Sequence, residues 1–365
     1  MRLLIAFLLC AFASLASALE NNLPTISVEP EQPRAGQSFM LFIKGTWPDG
    51  CGANLKSVLE APGGEITVTV ERRDAICIQV LSNYTLPISV FSGGNTAQAG
   101  VYRVRYQMQQ PGEPTPRLLA FRLIAVTAQN EKAMEVEPGY WVAEPGAKFA
   151  TSGSGVGFSL ERQEGSVVVV SNLYDASGKP TWYLSAGPMR GRVSRGDIYD
   201  VRGGQALFTA YRAPSSMVIA GELQVEFSSP ARATLWYTQP SGPGVVDGLR
   251  LMPISITRFN FAYPGPSDTF NGRFVMYSEA ADRAPRIYNF ERLRFGASLI
   301  AGFRDPSNDH RLICTLALET PNALPTSCVL EAEGNPTISF DQVGYERMFG
   351  KDPGGARFTL ERLLQ

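Results

Sequence analysis

Apolar and polar residues alternate with a period of two along much of this chain. Between Val101 and Met108, Tyr102, Val104, Tyr106 and Met108 fall on one face, with Arg103, Arg105 and Gln107 on the other. That is the pattern of a half-buried β-strand. The same pattern predicts strands over residues 65–70, 75–81, 221–227, 233–238 and 273–278. Nothing sustains an apolar period of 3.6 residues over three turns. The 35 glycines and 26 prolines punctuate the strands at short intervals, as in sandwiches and barrels. The expected fold class is all-β.

Two differently patterned regions meet at residues 128–138, where Ala128-Gln129-Asn130-Glu131-Lys132 is polar and lacks a strand pattern. Residues 19–127 have the size of one β-sandwich, and 128–138 read as a linker. Residues 139–257 and 258–365 read as two halves of a duplicated antiparallel module. Residues 171–184 (SNLYDASGKPTWYL) place apolar runs around a turn rich in Asp, Ser and Gly, a hairpin signal. Residues 275–290 repeat that plan, with Pro180 and Pro285, and Tyr183 and Tyr288, each 105 residues apart. The segments 250–258 and 357–362 look like matching closing strands. Two such halves fit either a closed barrel or two packed sheets.

The N-terminus sets the compartment. Arg2, the apolar run 3–13 and Ala16-Ser17-Ala18 have the plan of a secretory signal peptide over residues 1–18. The run is shorter than the ~20 apolar residues of a membrane span. No later segment resembles one, so no span is expected after cleavage, and the mature protein is expected in the periplasm or outside the cell. Cys10 leaves with the peptide. Cys51 and Cys77 remain in the first module, Cys314 and Cys328 near the end. Of the three possible connectivities, pairing within each module is the economical one, each bridge contributing about 3 kcal/mol in the chain-entropy model. A metal site fails on spacing, because there is no C-x-x-C and His310 is the sole histidine. Charged residues make up 18% with a net charge of −1. That balance argues against nucleic acid, which requires a concentrated basic face.

Two resemblances add to this. Ala99-Gly100-Val101-Tyr102-Arg103-Val104 resembles the late-strand start of immunoglobulin-like domains, where a tyrosine buries its ring and bonds back to the corner. Val104 stands where a true immunoglobulin domain carries its second core cysteine, so Cys51–Cys77 is not that family's usual bridge. Gly45 to Cys51 (GTWPDGC) is similar to immunoglobulin-like domains of secreted bacterial proteins. Further on, Gly139-Tyr140-Trp141, Glu144-Pro145-Gly146, Gly155-Val156-Gly157-Phe158 and the stretch from Tyr174 to Tyr183 (YDASGKPTWY) resemble a β-repeat segment of uncharacterised secreted proteins from Gram-negative bacteria. The likeness covers about 139–257 and is faint beyond, where both tryptophans are lost. It implies export and β structure, and transfers no catalytic residue.

Candidate chemistry is thin. A Ser–His–Asp triad would need His310, in the turn-like DPSNDHR segment, and no G-x-S-x-G elbow exists; His310 reads as an exposed loop residue. Glu222 and Glu226 share a strand face with Gln224 between them, about 13–14 Å apart at Cα. Glycosidase carboxyls stand roughly 5–9.5 Å apart, so the pair reads as the polar side of an amphipathic strand. A carboxylate pair drawn from different strands stays open. The glycine run 152–157 lacks the lysine and helix of a phosphate-binding loop and reads as a loop before a strand. Aromatics remain: Tyr174, Trp182 and Tyr183 around one hairpin, and the pair Trp236-Tyr237. In a strand the members of each W-Y pair face opposite ways. The outward ones either form a platform for sugar rings or an apolar partner, or the rings simply fill a core.

The expectation is therefore an exported, non-enzymatic binding or interaction protein with no catalytic residues, metal or cofactor. Its partner would be an envelope glycan or protein, met through Tyr174, Trp182, Tyr183, Trp236 and Tyr237. The alternatives are a secreted hydrolase with a cross-strand carboxylate pair and a protease inhibitor presenting a loop from a rigid scaffold.

Overall fold

The structure, a computed structural model, describes residues 23–363 apart from 61–63, 74–75, 92–95, 130, 132, 145–155, 243–246, 262–268, 280–282, 294–299, 317–323 and 332–336. The signal-peptide residues 1–18 lie outside the described residues, as does most of the glycine run. The described residues form 23 strands in an all-β architecture. No helix among them is long and apolar enough to cross a membrane.

The first region is a two-sheet sandwich. One sheet has the order β1 (Thr25–Glu29), β2 (Phe39–Trp47), β5 (Ser82–Val90). The other runs β3 (Ala53–Glu60), β4 (Glu65–Arg72), β6 (Gly100–Gln109), β7 (Arg117–Val126), with β4 and β6 parallel. Alternation decides what each strand buries: Leu41 and Ile43 from one sheet meet Ile66, Val68, Val104 and Met108 from the other in one core. Tyr102 is fully buried, and its hydroxyl both accepts from the Gln98 amide (3.0 Å) and donates to the Gln98 carbonyl (3.2 Å). Cys51 and Cys77 are bonded.

Residues 76–81, the described part of the strand expected over 75–81, do not form it. Ile76, Ile78 and Val80 are exposed, and the segment is held by the Cys51–Cys77 bridge and a bond from the Gly50 amide to the Ile78 carbonyl. A strand needs a neighbour to pair with as well as a pattern, and this segment joins neither sheet.

Each half of the second region closes on itself, so there are two barrels instead of one barrel or two sheets built from both halves. Barrel 1 comprises β8 (Gly139–Ala143), β9 (Gly157–Gln163), β10 (Ser166–Tyr174), β11 (Pro180–Arg190), β12 (Val193–Arg202), β13 (Ser216–Ser229), β14 (Arg232–Pro240) and β15 (Leu249–Arg258). Barrel 2 comprises β16 (Gly272–Ser278), β17 (Arg286–Leu293), β18 (Ile300–Asp305), β19 (His310–Thr315), β20 (Ser327–Glu331), β21 (Ile338–Val343), β22 (Arg347–Lys351) and β23 (Arg357–Arg362). Eight strands suffice for closure around a filled interior. Trp141, Phe158 and Phe227 fill the first barrel; Phe274, Phe290, Phe303 and Phe340 fill the second. The Cys314–Cys328 bridge joins directly opposed residues of β19 and β20 inside barrel 2.

The same device locks both seams. Trp141 pairs with Arg258, and Phe274 pairs with Arg362. Two residues before each aromatic stands a glycine in the left-handed region, Gly139 (φ 129°) and Gly272 (φ 117°), a conformation that side chains resist. The arginine donates to the carbonyl just before that glycine, Arg258 to Pro138 and Arg362 to Asn271, both at 2.9 Å. The next amide also repeats: Phe259 donates to Tyr140, and Leu363 to Arg273. These matches relate β8 to β16 and β15 to β23. The 105-residue sequence match instead joins β10–β11, third and fourth in their barrel, with β16–β17, first and second in theirs. The structural repeat therefore runs through the seams, where few residues are identical.

The segment before β8 is anchored instead of acting as a free linker. Met134 and Val136 pack in the barrel 1 core. Glu137, 4% exposed, reaches onto the β21–β22 turn of barrel 2, where it accepts from the amides of Tyr345 (3.1 Å), Glu346 (2.7 Å) and Arg347 (3.1 Å). Arg258 completes the site at 3.4 Å and also pairs with Glu346 at 2.9 Å. Burial pushes the Glu137 carboxyl up from its ordinary range, while the three amides and Arg258 pull it back.

Replacing Glu137 with Ala leaves three amides without this acceptor, while Arg258 keeps Glu346 and the Pro138 carbonyl. The expected cost is about 2–4 kcal/mol. Calorimetry should then show barrel 2 unfolding apart from barrel 1; a single unchanged transition would contradict the role given to this carboxylate.

Candidate functional site

The strands of barrel 1 alternate in direction, so its connections alternate between two ends. At one end β9–β10, β11–β12 and β13–β14 are joined by two residues each. This near end carries the joints: Ala231 enters the barrel 2 core, and Arg232 donates to the carbonyls of Leu324 and Pro325. The far end carries the long connections: 144–156, 175–179, 203–215 and 241–248. Long loops on a rigid scaffold are where binding surfaces are usually built.

Two hairpins shape the described part of that far rim. In β10–β11, Asp175 accepts from the amides of Ser177 (2.8 Å) and Lys179 (3.0 Å) and from the Ser177 hydroxyl (2.6 Å). This Asx-type turn holds Tyr174 opposite Pro180. Those hydrogen bonds, the Ser177 hydroxyl foremost, lower the Asp175 carboxyl from its ordinary range. In β12–β13, the first four residues of β13 are exposed on both faces, so this hairpin extends past the barrel. Its tip is ordered: Thr209 bonds back to Ala206, the Gln205 side chain donates to the Thr209 carbonyl at 2.9 Å, and Arg212 clasps the Gly204 carbonyl at 3.0 Å. Phe208 sits in the left-handed region at φ 63°, rare for a bulky residue and a form of strain that marks functional tips. Leu207 is 86% exposed, Phe208 fully, and Tyr211, Met217 and Val218 lie open nearby along the hairpin.

The five aromatic residues singled out in the sequence do not share one surface. Tyr174 and Trp182 are exposed on the far-rim hairpin. Tyr183 and Tyr237 point the other way, against the barrel 1 core, where the Tyr237 and Ser171 hydroxyls bond at 2.6 Å. Burial raises the Tyr237 phenol well above its ordinary range. Trp236 faces outward but is covered by the sandwich: it stacks on Phe121 (centroids 5.1 Å), lies under the Arg103 guanidinium, and donates to Glu226 at 3.1 Å. The rim residues Leu207, Phe208 and Tyr211 were missed, because single apolar residues in a Gly/Pro-flanked loop carry no periodic signal.

Glu222 and Glu226 do share a face, and both are committed. Arg103 grips Glu226 with two nitrogens (2.7 and 3.2 Å), and Arg195 pairs with Glu222. Between them Gln224, fully buried, accepts from the Leu123 amide (2.6 Å) and donates to the Phe121 carbonyl (3.0 Å). Gln224 and Glu226 join the sandwich to barrel 1, Glu222 is held by Arg195 within the barrel, and the two carboxylates provide no free acid–base pair. Asp49, with the Cys51 and Cys77 sulfurs nearby, is also taken, by Arg72 (2.7 Å) and the Cys51 amide (3.0 Å). Both those cysteines are in a disulfide, so no thiolate is left to hold a metal.

His310 is not an exposed loop residue. It begins β19, is 8% exposed, and packs its ring against Tyr288 at 5.5 Å. The turn lies just before it, capped by Asp305, which accepts from the Ser307 hydroxyl (2.7 Å) and amide (2.9 Å) and the Asn289 amide (3.2 Å). Tyr288 and Asp305 hold His310 in a structural setting.

The chain matches no known family model, no curated protein and no solved structure.

Two predictions follow from this geometry. Gln224→Leu removes the side chain that bonds the Phe121 carbonyl and the Leu123 amide, at a cost of about 1–3 kcal/mol; amide exchange at Leu123 should quicken while the barrel 2 strands stay protected. Barrel 2 should also be acid-sensitive. Burial first, then Arg286, depresses His310 below its ordinary 6.5. Burial alone would raise Asp305, but its hydrogen bonds outweigh that and hold it below 3.8. A depressed pKa gives stability that is present above the unfolded value and lost as pH falls. The barrel 2 melting midpoint should thus drop below pH 6.5 and again below 3.8, and His310→Phe should abolish the upper step alone.

Proposed function

We propose that the protein is an exported, non-enzymatic binding protein of the cell envelope or extracellular space, and that its contact surface is the far rim of barrel 1. The observation that carries this is the ordered β12–β13 tip, with Leu207 and Phe208 held out in solvent beside Tyr211 and Met217. Large apolar groups fixed in water on a rigid scaffold mark interaction sites. Tyr174 and Trp182 on the neighbouring hairpin extend the surface with rings suited to stacking on sugars or on an apolar protein face. Two disulfides suit an oxidising compartment. The signal-type N-terminus, the likeness of 139–257 to exported β-repeat proteins and the immunoglobulin-like Tyr102 corner point the same way. The partner on this reading is an envelope glycan or protein.

The test is thermal unfolding of the oxidised protein against envelope glycans, with captured envelope proteins as a second arm. A ligand at 100 times its dissociation constant should stabilise its domain by about 2.7 kcal/mol. The shift, or the capture, should be lost in both Trp182→Ala and Phe208→Ser. Binding that survives both substitutions moves the site elsewhere, and saturable turnover of an envelope polymer or ester overturns the non-enzymatic reading.

A further inference from the structure

A second site lies on the flank of barrel 1, where the sandwich stands off from it. The open edges of the sandwich, β1 and β7, face β12 and β13 across a cleft with two lobes of about 650 and 390 Å³. Both lobes share Arg122, Arg195, Asp197 and Glu222 in their walls, so these residues form the waist. The larger lobe adds apolar surface from Ile219 and Leu249.

Arg122 is the anomaly at that waist. Its Nη1 donates to the Ile26 carbonyl at 2.7 Å, while its Nε is shut off from solvent and has no partner. Two of the acids around it are spent, Glu222 on Arg195 and on the Gln224 amide (2.7 Å), and Glu31 on Arg190 (2.6 Å). Asp197, across the waist, forms no ion pair among the described residues. Arg122 itself is in no ion pair of the described residues. Burial lowers its pKa to about 10; the repulsion of Arg195 and Arg190 adds to that, and the attraction of Glu222 and Glu31 opposes it. A half-buried guanidinium with an unbonded Nε, beside two more guanidiniums, is costly unless an anion in the cleft balances its charge.

We infer that this cleft is a binding site for an oxyanion-bearing ligand, its carboxylate or phosphate held by Arg122 at the waist and its body lying along the two lobes. Guanidinium groups recognise such anions through paired N–H donors, with geometry that lysine cannot match. The lobes set the ligand's scale, since they fall in the range of small-molecule sites. This inference does not rest on the proposed contact surface: Tyr174, Trp182, Leu207, Phe208 and Tyr211 line neither lobe, although Ile219 of the β12–β13 hairpin and Ser241 of the 241–248 connection border the larger one.

The site predicts an unusual pair of effects. In the absence of anions, Arg122→Gln should leave the unfolding midpoint unchanged or raise it, because an unpaired cation is removed from beside two others. With ligand, the same variant should lose binding. The experiment titrates the oxidised full chain by calorimetry with inorganic phosphate, with acetate and with a trimer of a hexuronic acid, and follows the melting midpoint alongside. The expected result is saturable binding of at least one probe, weakened tenfold or more in Arg122→Gln and partly retained in Arg122→Lys. The trimer should bind more tightly than acetate if the carboxylate form with a sugar body is right, and phosphate more tightly than either if it is not. Equal affinity in wild type and Arg122→Gln overturns the site. So does a lower midpoint in Arg122→Gln with no probe binding to either protein, which would give Arg122 a purely structural role through Ile26.

Discussion

A β-sheet cannot stop without leaving a row of amides and carbonyls at its edge, and those groups must be bonded or wet. The two barrels meet this constraint by closing, and the sandwich does not close. Its strand β7 ends the four-stranded sheet, and one face of barrel 1 lies against that edge. Gln224 resolves the conflict where the contact is driest. Its amide presents an acceptor to Leu123 and a donor to Phe121, which is what a neighbouring strand would offer there. A side chain from a barrel strand thus stands in for a missing strand. Phe121 stacks on Trp236 above it, and Arg103 clamps Glu226 beside it.

Charge is used in the same way throughout. The chain has nearly balanced acids and bases, and the structure spends many of them at joints. Arg258 and Arg362 fasten the barrel seams, Glu137 ties the lead-in of one barrel to a turn of the next, and Arg232 crosses to Leu324 and Pro325. Buried pairs of this kind stabilise less than their number suggests, since each charge must first be desolvated. Their strength is geometric: Glu137 accepts three consecutive amides only if the turn holds one shape. The near absence of net charge therefore does not mean idle charges, and Arg122 stands out because Glu222 and Glu31 are spent on others.

What was legible in the sequence was local. The period of two around Val101–Met108 became β6, and the Asp/Ser/Gly turn became the β10–β11 hairpin, since both depend on residues close in the chain. The cysteine pairing was legible because each pair lies within one module. The failures share a cause. Residues 75–81 alternate like a strand, yet no strand pairs with 76–81. Trp236 looks like an outward ring until Phe121, far away in sequence, covers it. His310 follows a correctly read turn, but its ring is buried by Tyr288 from another strand. The duplication was visible, but its evidence was misplaced, because the seams repeat in backbone conformation and hydrogen bonding more than in residue identity.

The distribution of joints also says which surfaces remain free to act. The near end of barrel 1 is consumed: two-residue turns, the Ala231 contact and the Glu137 bridge leave little there for a partner. The flank toward β7 is partly consumed, by Gln224, Trp236 and Glu226, and opens into a cleft only beyond them. At the far rim the 241–248 connection reaches the sandwich, with Gly248 close against the Leu118 carbonyl, while the longest described hairpin is internally bonded and strained at Phe208. Leu207 and Phe208 stay exposed there although exposure of each costs free energy. The fold thus fixes barrel 1 from one end and one side, and the surfaces it leaves open are the ones where its unrelieved features lie: apolar tips at the rim, and an unanswered guanidinium in the cleft.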